Sequence, residues 1–127
     1  MHRTMLKSKL HRVTCTASDV HRDGSCVIDQ DLLDAADIRA YQRIEITNIN
    51  NGERFGTYAI AAPRGSGTIS VNGALAHKAS RGDVLNISAY ASYGEADVEK
   101  HAPALVFVDA NNAIKDKRNE MPAQKAA

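Results

Sequence analysis

The chain has 127 residues, enough for one domain that buries its own core. Sixteen Lys and Arg against fifteen Asp and Glu leave a net charge of +1, which argues against a general pull toward nucleic acid or anionic membrane. Hydrophobic residues make up 43% and aromatics 5%, so a core of small aliphatic side chains is expected, and no run approaches the roughly 18 apolar residues of a membrane span.

The pattern from Thr4 to Thr16 predicts a strand. Leu6, Ser8 and Leu10 share one parity, Val13 and Cys15 the other, so a bulge or bend is expected near His11 and Arg12. Cys26-Val27-Ile28 reads as a short buried strand. "DQDLLDAADI" reads as a short helix capped by Asp29 or Asp31, with Leu32, Leu33, Ala35 and Ala36 on its apolar face. Ile44 and Ile46 alternate with polar neighbours, and Phe55 to Ala61 returns. Asn51-Gly52 between them predicts a hairpin turn with both residues at positive φ.

"PRGSG" (63–67) is a turn, "TISV" a strand, and "NGALAH" (72–77) opens on a second Asn-Gly and can start a helical turn. Arg81-Gly82-Asp83 is a turn leading into a strand from Val84 to Ala91, and "ALVFVDA" is the last clear strand. The charged tail 115–127 is expected to fray. Six or seven short strands with one or two short helices indicate a mainly β, compact barrel.

The five histidines show no H-x-x-H or H-x-x-x-H pair, and Cys15 and Cys26 lie eleven residues apart, so no metal site is expected. The basic N-terminus, "MHRTMLKSKLHR", lacks an apolar signal core, and only Tyr41 precedes Phe55 as an aromatic that could stack on a base. A cytoplasmic protein with two reduced thiols and no nucleic-acid or membrane partner is expected.

"HRDGSCVID" (21–29) raises the chemical question. Ser25 after Gly24 could be a turn residue, a nucleophile or the source of a cofactor. A serine hydroxyl can attack the preceding carbonyl in an N-to-O acyl shift. Elimination of the resulting ester leaves dehydroalanine, and hydrolysis with loss of ammonia leaves a pyruvoyl group. A glycine before the serine suits this step, because it accepts unusual backbone conformations and leaves the carbonyl uncrowded.

"RTMLKSKLHR", "DGSCVID", "NNGERFGTYAI" and "SVNGALAH", in this order and spacing, resemble the bacterial pyruvoyl-dependent aspartate 1-decarboxylases from about Met1 to Ile114. The resemblance implies a small double-psi β-barrel domain over 1–114, assembled as a homotetramer with sites between subunits. It implies L-aspartate as substrate, with β-alanine and CO2 as products, for pantothenate and coenzyme A synthesis. The precursor would cleave itself between Gly24 and Ser25. The pyruvoyl group made from Ser25 would take the substrate amine as a Schiff base.

The resemblance also assigns roles. Tyr58 matches the proton donor. Thr57 and Asn72 match residues of the processing site. Arg54, Lys9 and His11 match the substrate pocket, with Gly73, Ala74 and Leu75 lining it through backbone N–H groups. Adjacent strand residues face opposite ways, so Thr57 and Tyr58 can serve one site only through local distortion or a shared interface. Two positions depart from the family pattern. Arg22 stands where an aromatic is usual, beside the scissile bond, and Leu75 stands where Ala is usual. Whether a helper protein takes part in maturation is not written in the sequence. Two rival readings stay open: the same chemistry on a related acidic amino acid, and an unprocessed barrel that serves as a binding module.

Overall fold

A computed structural model describes residues 1–120. Among them the fold is mainly β, a small barrel with short helices. In chain order run β1 (His2–Thr14), β2 (Ala17–Asp19), β3 (Ser25–Asp29), α1 (Gln30–Ala36), β4 (Arg43–Asn48), β5 (Arg54–Ala62) and β6 (Ile69–Asn72). A 3-10 turn (Gly73–Lys78), β7 (Val84–Gly94), α2 (Glu95–Val98), β8 (Ala104–Val108) and β9 (Ile114–Arg118) follow.

The strands hydrogen-bond in the order β2-β6-β3-β5-β4-β7-β1-β8-β9. This order forces the sheet to curl. β1 and β2 are six interstrand steps apart, about 29 Å in a flat sheet. Yet only Cys15 and Thr16 join them, a reach of about 10 Å. The far edge therefore swings round to the near one, and Thr16 fastens it: its N–H and hydroxyl both donate to the Ile69 carbonyl, at 2.8 and 3.1 Å.

Inside lie the aliphatic side chains that the alternation marks out. Leu10, Val13, Ile28, Ile44, Ile46, Val71, Leu85 and Ile87 are buried, with Leu32 and Leu33 of α1 closing one end. Asp29 caps α1 by accepting the Asp31 N–H at 2.9 Å. The same buried carboxylate takes the N–H groups of Gly65 and Gly67, so it also fixes the 63–67 turn. The expected bend in β1 is present: its register with β7 shifts between Leu10 and Val13, and Arg12 takes φ +55°.

Two expectations need correction, and one strand goes unread. Of Asn51 and Gly52, only Gly52 takes positive φ (+77°). The loop is wider than a two-residue turn because the Asn48 side chain captures the Asn50 N–H and the Asn48 carbonyl takes that of Gly52. β2, three residues long, has too little pattern to be read. The charged stretch from 115 does not begin as a frayed end: Ile114–Arg118 pairs antiparallel with β8. The rest of that tail, 121–127, lies outside the described residues.

Among the described residues no helix is long and apolar enough to cross a membrane.

Asn112 closes the barrel at the β8–β9 turn. It is buried at φ +63°. Its Oδ1 accepts the Thr14 N–H at 2.8 Å, and its Nδ2 donates to the carbonyls of Thr14 and Gly67. Asn112→Ala strands these groups and should cost about 3 kcal/mol in urea unfolding; a loss under about 0.5 kcal/mol would show that this clasp is not needed.

Candidate active site

Ser25 opens β3, and β3 sits between β6 and β5. Toward β6, Ser25 lies directly opposite Asn72. Toward β5, the parallel register pairs Cys26 with Ala59. Tyr58 directly precedes Ala59 on β5, as Ser25 directly precedes Cys26 on β3. The Gly24–Ser25 peptide is thus met on one side by Asn72 and Gly73, and the neighbouring strand on the other is the one that carries Thr57 and Tyr58. Ser25 is 6% exposed, and its hydroxyl folds back along its own chain to donate to the Asp23 carbonyl at 3.3 Å.

The approach from β6 is unusually close. Gly73 follows Asn72 at φ +80° and turns the chain into the 3-10 segment. A Cβ on Gly73 would stand 2.6 Å from the Gly24 Cα and 2.8 Å from its nitrogen. Only glycine fits there, on grounds of both φ and space. The turn continues through Ala74, which is exposed, and Leu75, which packs against the core. Ser18 of β2 anchors the turn by donating to the Ala76 carbonyl, and Asn72, itself buried, accepts from the Ser70 hydroxyl.

Gly24 behaves differently from the sequence argument. Its φ is not positive, and a Cβ there would meet nothing within 4 Å. Steric demand in the intact chain falls on Gly73; at Gly24 the uncrowded carbonyl is the surviving reason for glycine.

Lys9 and His11 lie on β1, and Arg54 opens β5. The register lines up Lys9 with Ser88, Ser88 with Glu45, and Glu45 with Gly56, one row running across β1, β7, β4 and β5. Lys9 alternates with buried Ser8 and Leu10, so it points out of the barrel. Burial, with Arg12 adding to it, lowers the Lys9 ammonium below an ordinary lysine. Burial also lowers the His11 imidazole, helped by the charges of Lys9 and Arg12, which favours the neutral ring near neutral pH. His11 packs against Phe107 at 4.9 Å, and its Nδ1 is buried with no hydrogen-bond partner among the described residues. Arg54, exposed, pairs with Glu45 at 2.6 Å.

The structure therefore brings together Gly24, Ser25, Asn72 and Gly73, and places β5, which carries Thr57 and Tyr58, beside the strand that Ser25 opens. Within one chain it sets Lys9 and His11 three strands away from β5. Tyr58 is 38% exposed on the outer face, while Thr57 is of opposite parity. Arg22 swings back to Asp19 at 3.3 Å, and its carbonyl faces Gly73. The sequence reading missed two neighbours of Tyr58. Arg43 is its direct cross-strand partner, and the Tyr41 ring stacks on it; neither belongs to a motif, and only the β4–β5 register could point to them. Among the described residues no group of three or more His, Cys, Asp or Glu could hold a metal ion.

Comparison with known proteins bears on what this arrangement serves. The family model described as aspartate decarboxylase matches residues 1–115. The aspartate 1-decarboxylase of Methylobacillus flagellatus is 61% identical over 126 residues, covering 99% of this chain and 100% of the relative. That of Chromobacterium violaceum is 53% identical with the same coverage, and that of Albidiferax ferrireducens 54% over 127 residues, 100% and 94% of the two chains. With these matches the molecule is a small β-barrel lyase. More particularly, the chain belongs to the aspartate decarboxylase family.

The packing of Gly73 on Gly24 makes a direct prediction for chains kept intact by Ser25→Ala. Adding Gly73→Ala should lower stability by about 2 kcal/mol or more, through overpacking and strain. Adding Gly24→Ala should leave the thermal midpoint unchanged. Equal effects at the two positions would contradict the geometry.

Proposed function

We propose that this chain removes the α-carboxylate of L-aspartate, giving β-alanine and CO2 for pantothenate and coenzyme A synthesis, after cutting itself between Gly24 and Ser25. The observation that supports this reading is the close approach of Asn72-Gly73 to the Gly24–Ser25 peptide, with β5, the strand of Thr57 and Tyr58, as the other neighbour of β3. Cleavage would leave a short chain, 1–24, and a larger one headed by a pyruvoyl group in place of Ser25. We take the domain to run through β9, because that strand pairs with β8.

The surroundings of Ser25 fit such a group. The residue is almost fully buried, so water is kept from the reactive carbonyls, and the backbone of Gly73 lies against the adjoining Gly24. When present, the pyruvoyl group supplies an electron-withdrawing carbonyl that accepts the electrons left behind by CO2.

The protein's own side chains do the rest. Thr57, on the strand beside β3, polarises the Gly24 carbonyl during self-cleavage, and Asn72 fixes the strand that carries Ser25. Arg54 and Lys9 bind the substrate carboxylates. A planar guanidinium can take a carboxylate through two hydrogen bonds. Its present partner is exposed Glu45, and an exposed ion pair of this kind is weak enough to be exchanged for substrate. His11 lines the pocket as a neutral ring. The N–H groups of Gly73, Ala74 and Leu75 offer a further anion contact. Tyr58 delivers the proton from its phenolic oxygen to the substrate carbon that has lost CO2.

Ser25 lies in the wall beneath Gly73, while Lys9 and His11 sit on β1, three strands beyond β5. That separation supports a site completed between neighbouring copies in a homotetramer. It also gives Thr57 and Tyr58, which face opposite ways, a means of serving one reaction. A cytoplasmic location belongs to the same reading and rests on the family alone.

Two variants separate processing from turnover. Ser25→Ala should fold, stay uncut and show no decarboxylation; activity in that variant would end the pyruvoyl reading. Tyr58→Phe should cut itself normally and then turn over about a hundredfold more slowly. Wild-type turnover by Tyr58→Phe would remove Tyr58 as the proton donor.

A further inference from the structure

We propose that Tyr41 is a positioning residue for Tyr58, fixing the ring whose hydroxyl is read above as the proton donor. The inference rests on that reading and adds a residue to it. Tyr41 lies between α1 and β4 at φ +71°, a region that a bulky side chain occupies only at an energetic cost. Glycine or asparagine would hold this turn more easily. Burial does not account for the tyrosine, because it is 77% exposed. What its ring does touch is Tyr58: the centroids are 6.4 Å apart and the planes are 28° from parallel, within the range of offset stacking.

The backbone holds this contact in place. The Tyr41 N–H donates to the Ala59 carbonyl at 2.7 Å, and the Ala59 N–H donates to the Gln42 carbonyl at 3.0 Å. These bonds extend the β4–β5 ladder by one rung past the Arg43–Tyr58 pair. Tyr41 is therefore locked to the residue next to Tyr58, and its strained turn lays the ring against the Tyr58 ring. On the other side, Gly56 leaves room for the Arg43 guanidinium, which would lie 3.4 Å from a Cβ there. Tyr41, Arg43, Gly56, Thr57 and Tyr58 line one shallow cleft. Without Tyr41, a 38% exposed Tyr58 side chain is free to swing between rotamers. With it, the phenolic oxygen keeps one direction.

Two variants test this. Tyr41→Gly removes the ring and relaxes the backbone; Tyr41→Phe keeps the ring and loses only the hydroxyl. Both are assayed beside Tyr58→Phe, with melting temperature, kcat and KM measured on the processed enzyme. The ring-proton NMR shifts of Tyr58 are followed in the intact Ser25→Ala chain. Tyr41→Gly should melt no lower than wild type, shift the Tyr58 ring signals and lower kcat about tenfold, with KM little changed. Tyr41→Phe should restore both the signals and kcat. Unchanged Tyr58 signals or unchanged kcat in Tyr41→Gly, alongside an impaired Tyr58→Phe, would overturn the role of Tyr41. A fully active Tyr58→Phe would instead overturn the donor assignment on which it rests.

Discussion

The backbone of Gly73 lies so close to that of Gly24 that no side chain fits between them. Much of the site follows from this approach. Gly73 at positive φ lets β6 stop at Asn72 and turn at once into the 3-10 segment. The turn then rests on the Gly24 peptide while Asn72 still pairs with Ser25. On the other side, β5 runs parallel to β3 and pairs Ala59, the residue after Tyr58, with Cys26, the residue after Ser25. A peptide held from both sides in this way has little freedom to move, as a self-cleavage step needs if one hydroxyl is to meet one carbonyl.

The barrel wall explains why the remaining site residues sit apart. A strand presents alternate residues to opposite faces, and the curl of the sheet makes one of those faces the core. Lys9, Arg54 and Tyr58 fall on the outer face. Ser25 is in the wall itself, under the 73–75 turn. One barrel thus offers the proposed reactive group in one place and much of the proposed carboxylate-binding charge in another. Arg54 meanwhile rests on Glu45, and the Lys9–His11–Arg12 bend concentrates positive charge. Association of copies is the simplest way for these two surfaces to meet, and it needs no distortion of β5.

Much of this was legible in the sequence, where local chemistry decides the outcome. Asp29 as a helix cap, the bend at Arg12 and the 3-10 turn after Asn72-Gly73 were each signalled locally, by a capping carboxylate, a switch in apolar parity and an Asn-Gly pair. Where distant groups decide, the sequence was mute or misleading. Asn51-Gly52 reads as a tight turn until the Asn48 side chain is seen holding the loop open. Ile114–Arg118 looks like a solvated tail because its order comes from pairing with β8 and not from any apolar face. The motif residues around Ser25 could be named from their order along the chain. That Gly73, more than Gly24, carries the steric demand is visible only once two strands lie side by side. Tyr41 belongs to no motif, and its strained turn gains a meaning only from the ring beside it.

The central claim is that Ser25 becomes the reactive group. An intact mass spectrum of the purified protein tests it most directly. The account predicts two species: a fragment of residues 1–24, and a fragment from position 25 onward that is lighter than the serine-headed chain by the mass difference between serine and its pyruvoyl product. A single full-length mass that persists on prolonged warming would contradict it and leave the molecule an uncut barrel.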